Sequence, residues 1–298
     1  MSSKAPSLVF ASLCFVWGST WLAIKIGLEF LPPFMFAGIR FTIATIALLV
    51  LSRILHAQVP RDRHSWFIML FLGIFQISLP YGLVFWGEEY ISSGLSAVLF
   101  ATLPFFVVIS AHMLVREEKL TKLKAIGVIA SFAGLVAIFW RDITAAQTLS
   151  TQYSFFGGLA VVGSAASGGM ANVVAKRYAG KIDPAANVLV QSVIGALVLS
   201  SIGVLTEMNS VLNFTPTAVF AVLYLGVIGS ALAFVGLYWL LTKASATNVS
   251  LFTFITPIIA LGLGWLFLRE VVDPNVGLGT VLILIGVYLT LRPTERTE

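Results

Sequence analysis

The sequence predicts an all-α integral membrane protein with ten transmembrane helices, arranged as two inverted five-helix repeats. Three observations support this fold class: an apolar composition, ten apolar stretches of helix length, and a segment that occurs twice. Of the 298 residues, 58% are hydrophobic and only 10% are charged, whereas a soluble domain carries about 25% charged residues. Polar side chains cannot cover the surface of so apolar a chain, so its solvent is expected to be lipid.

The ten stretches are each long enough for a helix to cross a hydrocarbon core about 30 Å thick, which takes about 20 residues. Turn residues or charges separate them, and they span residues 8–29, 34–52, 66–86, 92–115, 123–140, 154–175, 185–206, 217–241, 248–268 and 275–291. Polar and apolar residues do not alternate in them as they would in barrel strands, which favours helices. The third stretch is expected to end before Gly87-Glu88-Glu89.

Residues 72–117 recur as residues 225–270, with a constant shift of 153 positions and without a gap. The rarer residue types coincide, which pairs Trp86 with Trp239, Pro104 with Pro257 and Arg116-Glu117 with Arg269-Glu270. An earlier block, shifted by 151, pairs Lys25 with Lys176 and Arg40 with Gln191. The predicted repeats are residues 1–150 and 151–298. Because each holds five helices, the second must enter the membrane from the opposite side, which is typical of transporters with a substrate site between the halves.

The basic residues predict the orientation. With the N-terminus inside, 14 of the 18 lysines and arginines fall in cytoplasmic segments, Lys25 and Arg40 lie within helices, and Arg141 and Arg269 fall in outer loops. Basic loops stay cytoplasmic, so both termini are expected inside. This placement explains the net charge of +5 without a nucleic-acid partner.

Aromatic and polar residues within the spans are candidates for substrate binding. Aromatic faces suit apolar, aromatic or cationic ligands, buried amides need a partner, and a cation within the membrane, such as Arg40, could receive a substrate carboxylate. The predicted substrate-binding residues are Trp17, Arg40, Gln76, Tyr81, Phe85, Asn172, Tyr238 and Asn248. Asn172 is also the last of four residues spaced by four along the sixth stretch, after Ala160, Ser164 and Gly168. Small residues at this spacing favour close helix packing.

Pro104 and Pro257 lie near the middle of the fourth and ninth helices and are predicted hinges. Proline frees the carbonyl four residues before it, which is tolerated in a membrane beside another helix or a wet cavity. The first, third, fourth, sixth, eighth and ninth helices are expected to line that cavity. A packing kink without ligand contact is the alternative.

Other classes of site find little support. The single cysteine, Cys14, allows no internal disulfide, and no metal site is predicted. Neither catalytic residues nor a cofactor-binding motif can be identified. The acidic residues Glu29, Glu88, Glu89 and Glu207 are all placed near span ends, which favours a facilitator or exchanger over proton-driven transport.

The stretch Trp17-Gly18-Ser19-Thr20-Trp21…Lys25 resembles the first-helix pattern of the EamA-type branch of the drug/metabolite transporter superfamily. Tyr81…Trp86…Ser92-Ser93-Gly94…Pro104 and Arg116-Glu117 extend the resemblance. It implies a multi-pass exporter of amino acids or similar small metabolites in the bacterial inner membrane, active as a monomer or homodimer. Export of drugs or quaternary cations is the first alternative, and an intramembrane enzyme or lipid-handling protein is the second.

Overall fold

The computed structural model describes residues 4–114, 122–144, 149–178, 180–243, 249, 252–271 and 273–291. Within these ranges, helices are the only regular secondary structure longer than one residue. The α-helices are α1 (Lys4–Leu28), α2 (Pro33–Ile54), α3 (Arg63–Leu72), α4 (Leu79–Tyr90), α5 (Ser93–Phe100), α6 (Leu103–Leu114), α7 (Lys122–Thr144), α8 (Leu149–Tyr178), α9 (Pro184–Thr206), α10 (Pro216–Leu223), α11 (Ala233–Lys243), α12 (Phe252–Leu268) and α13 (Pro274–Leu291). Two π-helical segments, Gly73–Ser78 and Tyr224–Leu232, join α3 to α4 and α10 to α11.

Seven helical stretches in the described chain are long and apolar enough to cross a membrane: Ala5–Leu28, Pro33–Ile54, Arg63–Tyr90, Ser93–Leu114, Gln152–Tyr178, Pro184–Thr206 and Pro216–Lys243. Three shorter apolar helices coincide with the remaining predicted spans: Ile129–Ile138, Ile255–Leu268 and Pro274–Leu289. The prediction of a helical, multi-pass membrane protein is therefore confirmed, while the count of ten stays a prediction. Large apolar side chains such as Phe15, Leu205 and Trp265 are more than half exposed, as expected of a surface that faces lipid.

The predicted end of the third span is wrong. The helix does not stop before Gly87 but continues through Glu88 and Glu89 to Tyr90. The reason is close packing: a Cβ at Gly87 would lie 2.5 Å from the carbonyl oxygen of Gly157 in α8, so this glycine serves helix contact rather than chain reversal. Glu88 is consequently inside the helix and has no exposed surface.

Helix pairs from the two halves pack in a pattern that fits two related units. Helix α2 packs on α9, and α7 packs on α13; each pair joins spans of equal rank in the two halves. Small residues permit the approach, since a Cβ at Gly134 of α7 would lie 2.7 Å from the carbonyl oxygen of Gly279 in α13. The second and fifth spans therefore join the halves through equivalent helices, and α4 with α8 forms a further contact between them.

Carboxylates from the second half bind the starts of helices in the first. The carboxylate of Glu207 accepts hydrogen bonds from the backbone N–H groups of Phe34 and Met35, at 2.9 and 2.8 Å. That of Glu270 accepts from Ser93 N, Ser93 Oγ and Gly94 N at 2.8 to 3.0 Å. A helix begins with unpaired N–H groups and a partial positive charge, so a carboxylate satisfies both. Lys25, Glu88, Glu207 and Glu270 all lie at this end of the bundle, called the Glu270 end below.

Replacing Glu270 by alanine is expected to lower the free energy of unfolding by about 1–3 kcal/mol, because two buried backbone N–H groups lose their acceptor. Thermal unfolding of the purified protein in detergent measures the effect. Glu270→Gln retains an acceptor oxygen and is expected to lose less. Equal loss in the two variants would contradict the capping role.

Candidate functional site: a cavity between the two halves

A cavity with an empty volume of ≈ 710 Å³, counting its open mouth, lies between helices of both halves. Its walls come from α1, the first π-helical segment, α4, α5, α6, α8, α11 and α12, which belong to the six spans predicted from the repeat. Most of the wall is apolar or aromatic: Trp17, Trp21, Ile24, Pro80, Tyr81, Val84, Phe100, Leu103, Phe234, Leu237 and Phe252. The cavity is therefore a mainly apolar pocket to which both halves contribute.

The aromatic wall is a set of rings that contact one another. Trp17 lies 4.6 Å from Phe252 and 5.8 Å from Phe234 between ring centroids, while Trp21 lies 5.4 Å from Phe100. Trp17 also donates from Nε1 to the carbonyl oxygen of Gly229, at 3.3 Å. These contacts hold the rings as a preformed apolar surface for a ligand.

A few polar groups interrupt this wall: Thr20, Gln76, Ser164, Asn172 and Thr256. Gln76 Oε1 and Ser164 Oγ are buried, and neither has a hydrogen-bond partner within the described protein. Since buried polar atoms are normally paired, these two are open positions for groups of a ligand. Ser164 and Gly168, expected to serve helix packing, thus border the cavity together with Asn172.

Gln76 lies in a π-helical segment that the sequence analysis did not identify. Pro80 has no N–H to donate to Gln76 O, as an α-helix would require. The helix widens here, and Leu79 N bonds to Ile74 O, five residues back, where an α-helix would use Phe75 O. The second π-helical segment, Tyr224–Leu232, includes the positions that a shift of 153 makes equivalent to the first, and in it Ala233 N bonds to Ile228 O. Such segments are often found at functional sites. The first contributes Gln76 to the cavity wall, and the second accepts a hydrogen bond from the cavity-lining Trp17 through Gly229 O.

Arg40 does not line the cavity but supports it from behind Tyr81. Its guanidinium carbon lies 4.5 Å from the centroid of the Tyr81 ring, and its Nε donates to Ser230 Oγ at 2.9 Å. The residue is 1% exposed, and its Nη1 has no hydrogen-bond partner among the residues that the structure describes. Arg40 therefore fixes the cavity-facing Tyr81 against the second π-helical segment.

Two other predicted residues also lie outside the cavity wall. Phe85 is fully buried and packs on Phe36, with ring centroids 5.0 Å apart. The hydroxyl of Tyr238 accepts from Gln191 Nε2 at 3.0 Å, which connects α11 to α9. Asn248 lies outside the described residues. The cavity thus brings together Trp17, Gln76, Tyr81 and Asn172 from the predicted set.

The two prolines differ in their local structure. Around Pro104 the fourth span is interrupted, since α5 ends at Phe100 and α6 begins at Leu103. Pro104 is then the second residue of a new helix, where its missing N–H leaves no bond unmade. Pro257 lies within the continuous helix α12. Both flank the cavity, which Leu103 and Thr256 line beside them.

A lysine in each half binds the end of a helix in its own half. Lys25 Nζ donates to the carbonyl oxygens of Glu88, at 2.6 Å, and Ile91, at 2.8 Å. Lys176 Nζ donates to Leu241 O at 2.8 Å. Leu241 corresponds to Glu88 by the shift of 153, so the two contacts are equivalent. An ammonium group is favoured at a helix C-terminus by the exposed carbonyls.

Comparison with known proteins agrees with this repeat. The model of the EamA-like transporter family matches residues 5–140 and again residues 155–292. The chain belongs to this family. It is 30% identical to "Uncharacterized transporter YoaV" of Bacillus subtilis over 96% of this chain and 97% of the relative. It is 27% identical to "Protein PagO" of Salmonella typhimurium, over 98% and 94% of the two chains.

A solved crystal structure shares the fold of this EamA-family transporter, with a TM-score of 0.67 and 18% sequence identity. The likeness covers 97% of this chain and 96% of the other. The family match and these relatives establish a membrane transporter. Among the described residues, no group of His, Cys, Asp and Glu side chains could hold a metal ion.

Proposed function

We propose that this transporter works by alternating access and exports amino acids or similar small metabolites. The observation that carries the proposal is the cavity between the halves, whose apolar wall holds two polar atoms without a hydrogen-bond partner in the described part of the chain, Gln76 Oε1 and Ser164 Oγ. Those atoms can bind the ammonium or hydroxyl hydrogens of a ligand, and the rings beside them can receive an apolar side chain. A neutral amino acid with an aromatic or branched side chain combines these features.

The proposed topology has ten helices in two inverted repeats, residues 1–150 and 151–298, with both termini in the cytoplasm of a bacterial inner membrane. The equivalent bonds of Lys25 and Lys176, and the π-helical segments 153 residues apart, support the repeat. The basic residues support the orientation. Labelling of tags on the two termini in intact and opened cells tests it, because tags on opposite sides would exclude ten helices.

Transport by purified protein in proteoliposomes tests the function. Vesicles preloaded with unlabelled L-phenylalanine are expected to take up radiolabelled L-phenylalanine faster than vesicles without protein. L-glutamate serves as the control, since no charged side chain is among the described residues that line the cavity. Equal rates with and without protein, for a panel of neutral amino acids, would exclude this substrate class.

Export of lipophilic or quaternary cations is the second candidate function, and the rings of Trp17, Trp21 and Tyr81 favour it. Aromatic faces attract cations through their quadrupole. The same vesicles, tested with radiolabelled tetraphenylphosphonium, separate the two substrate classes. Uptake of this cation that an excess of L-phenylalanine does not reduce would favour the second candidate.

Replacing Pro257 by leucine tests the proposed hinge. Leucine restores an N–H to the buried interior of α12 and stiffens the helix, so turnover is expected to fall about tenfold, equal to about 1.4 kcal/mol in the barrier. Equilibrium binding should be retained. Initial rates and bound ligand are measured in the same preparation. A turnover equal to that of the unmodified protein would exclude the hinge.

A further inference from the structure

Glu88 is a buried acidic residue that the proposed transport cycle does not yet use. Its side chain is fully buried, and both carboxyl oxygens lack a hydrogen-bond partner within the described protein. An ionised carboxylate without partners is very unfavourable in a protein interior, and such a group takes up a proton instead. The arrangement around Glu88 therefore suits a carboxyl group in its protonated form.

The charged groups near Glu88 are each occupied by other partners. On α1, Lys25 Nζ binds the carbonyl oxygens at the end of α4 rather than a carboxylate. On α2, Arg40 is bound to Ser230 and stacks on Tyr81. Beyond α12, the carboxylate of Glu270 accepts from Ser93 and Gly94. All three act electrostatically on Glu88.

The remaining titratable groups at this position are less enclosed. Glu89 is exposed on the other face of α4. From α8, the ring of Tyr153 stacks on Tyr90 with centroids 5.1 Å apart. Among the described residues neither contacts the Glu88 carboxyl by hydrogen bond, so the charges that act on it there are those of Lys25, Arg40 and Glu270.

The fold itself does not require an acidic residue here. The corresponding position of the second half is Leu241, and Lys176 binds its carbonyl oxygen as Lys25 binds that of Glu88. The lysine contact is thus kept with an apolar side chain in one half and with a carboxyl group in the other. A structural role for the backbone at this position does not explain the carboxyl group.

Glu88 also lies where the halves meet. The preceding Gly87 packs on Gly157 of α8, and Glu270 belongs to the second half. A negative charge formed at Glu88 would attract the ammonium group of Lys25 and repel the carboxylate of Glu270. Repulsion weakens the Glu270 cap on α5, which is one of the contacts between the halves at this end.

We propose that Glu88 is a proton-binding site, and that its loss of a proton opens the Glu270 end and couples transport to proton movement. The proton is released to the side of the membrane opposite the Glu270 end, and the ionised carboxyl pairs with Lys25 in the open form. It takes a proton from water on the Glu270 side before that end closes, so each cycle moves one proton across the membrane. The coupling rests on the transport function proposed above, whereas the proton site does not.

Infrared spectroscopy of the protein in membranes tests the proton site without any substrate. The C=O stretching band of a protonated carboxyl group is recorded as the pH is raised. We expect a band that disappears with rising pH, that Glu88→Gln lacks, and that Glu89→Gln, the matched control, retains. A band of the same size and titration in Glu88→Gln would overturn the proposal.

Transport in proteoliposomes tests the coupling. With radiolabelled L-phenylalanine as probe, the unmodified protein is expected to accumulate the amino acid about tenfold per pH unit of imposed gradient, for one proton per substrate. Glu88→Gln and Glu88→Leu cannot form the charge that opens the Glu270 end, so they should neither accumulate nor exchange the amino acid. They should still bind it, as the ligand-induced shift in unfolding temperature measures. Glu88→Leu carries the side chain of the second half, which guards against loss of folding. Accumulation by both variants equal to that of the unmodified protein would overturn the coupling. A lack of all L-phenylalanine transport by the unmodified protein would instead contradict the proposed substrate, and the infrared band would still decide the proton site.

Discussion

Trp17→Ala is expected to weaken ligand binding by about 2 kcal/mol, roughly 30-fold in apparent affinity. The indole forms the part of the cavity wall that lies between Phe252 and Phe234, and its removal takes away both apolar contact area and the support of those two rings. The hydrogen bond from Nε1 to Gly229 O is lost as well. Binding of L-phenylalanine or tetraphenylphosphonium by the purified protein, followed through the shift in its unfolding temperature, measures the change.

Two further variants separate the ring from the hydrogen bond. Trp17→Phe keeps an aromatic face but lacks the N–H, so we expect a smaller loss of affinity than for alanine. Trp265→Ala is the control, because Trp265 is 68% exposed on the lipid-facing side of α12 and lies outside the cavity. Unchanged affinity in Trp17→Ala would show that the ligand binds elsewhere.

The positions of the helices along the chain could be predicted because the number of consecutive apolar residues determines whether a segment can cross a bilayer. The repeat then indicated which helices face the interior, since each half contributes equivalent spans. Pro104 and Pro257 flank the cavity for the same reason. These inferences need only the order of the residues along the chain.

The rotation of each helix about its axis could not be predicted from the sequence. In lipid both the core and the outer face are apolar, so an amphipathic pattern does not mark the inner side. Arg40 and Tyr81 were therefore both assigned to the cavity, although only Tyr81 lines it. The sequence places Phe85 and Tyr238 in the cavity wall for the same reason. They follow the cavity-lining Tyr81 and Phe234 by one helical turn, but each is buried against a neighbouring helix.

The burial of Glu88 cannot be read from the sequence, because Gly87 beside two glutamates is also typical of a turn. Glycine has two opposite uses in a membrane protein, chain reversal and close helix contact, and only the position of Gly157 on α8 distinguishes them. The first π-helical segment did leave a signal, since Pro80 interrupts an otherwise apolar run. The second left none, because Ala233 occupies the corresponding position.

Arg40→Ala is expected to lower the free energy of unfolding by about 3 kcal/mol. The side chain is among the largest that are fully buried, and its removal leaves a cavity beside Tyr81, Phe41 and Phe85. Arg40→Met fills most of that volume, and replacement of a buried charge by an apolar side chain of similar size is often nearly neutral, so we expect a loss of only about 1 kcal/mol. Unfolding of both variants in detergent tests the difference.

Arg40→Met also distinguishes a supporting role of Arg40 from direct contact with a substrate. Because Arg40 lies behind Tyr81, Arg40→Met is expected to change the affinity for L-phenylalanine and for L-phenylalaninamide by the same factor. The amide lacks the carboxylate that a guanidinium would bind. If Arg40 reached the ligand, the variant would lose at least about tenfold, or about 1.4 kcal/mol, more affinity for the acid than for the amide. That result would require the Tyr81 ring to move aside during the cycle. Arg40 Nη1, which has no partner among the described residues, would then bind the carboxylate.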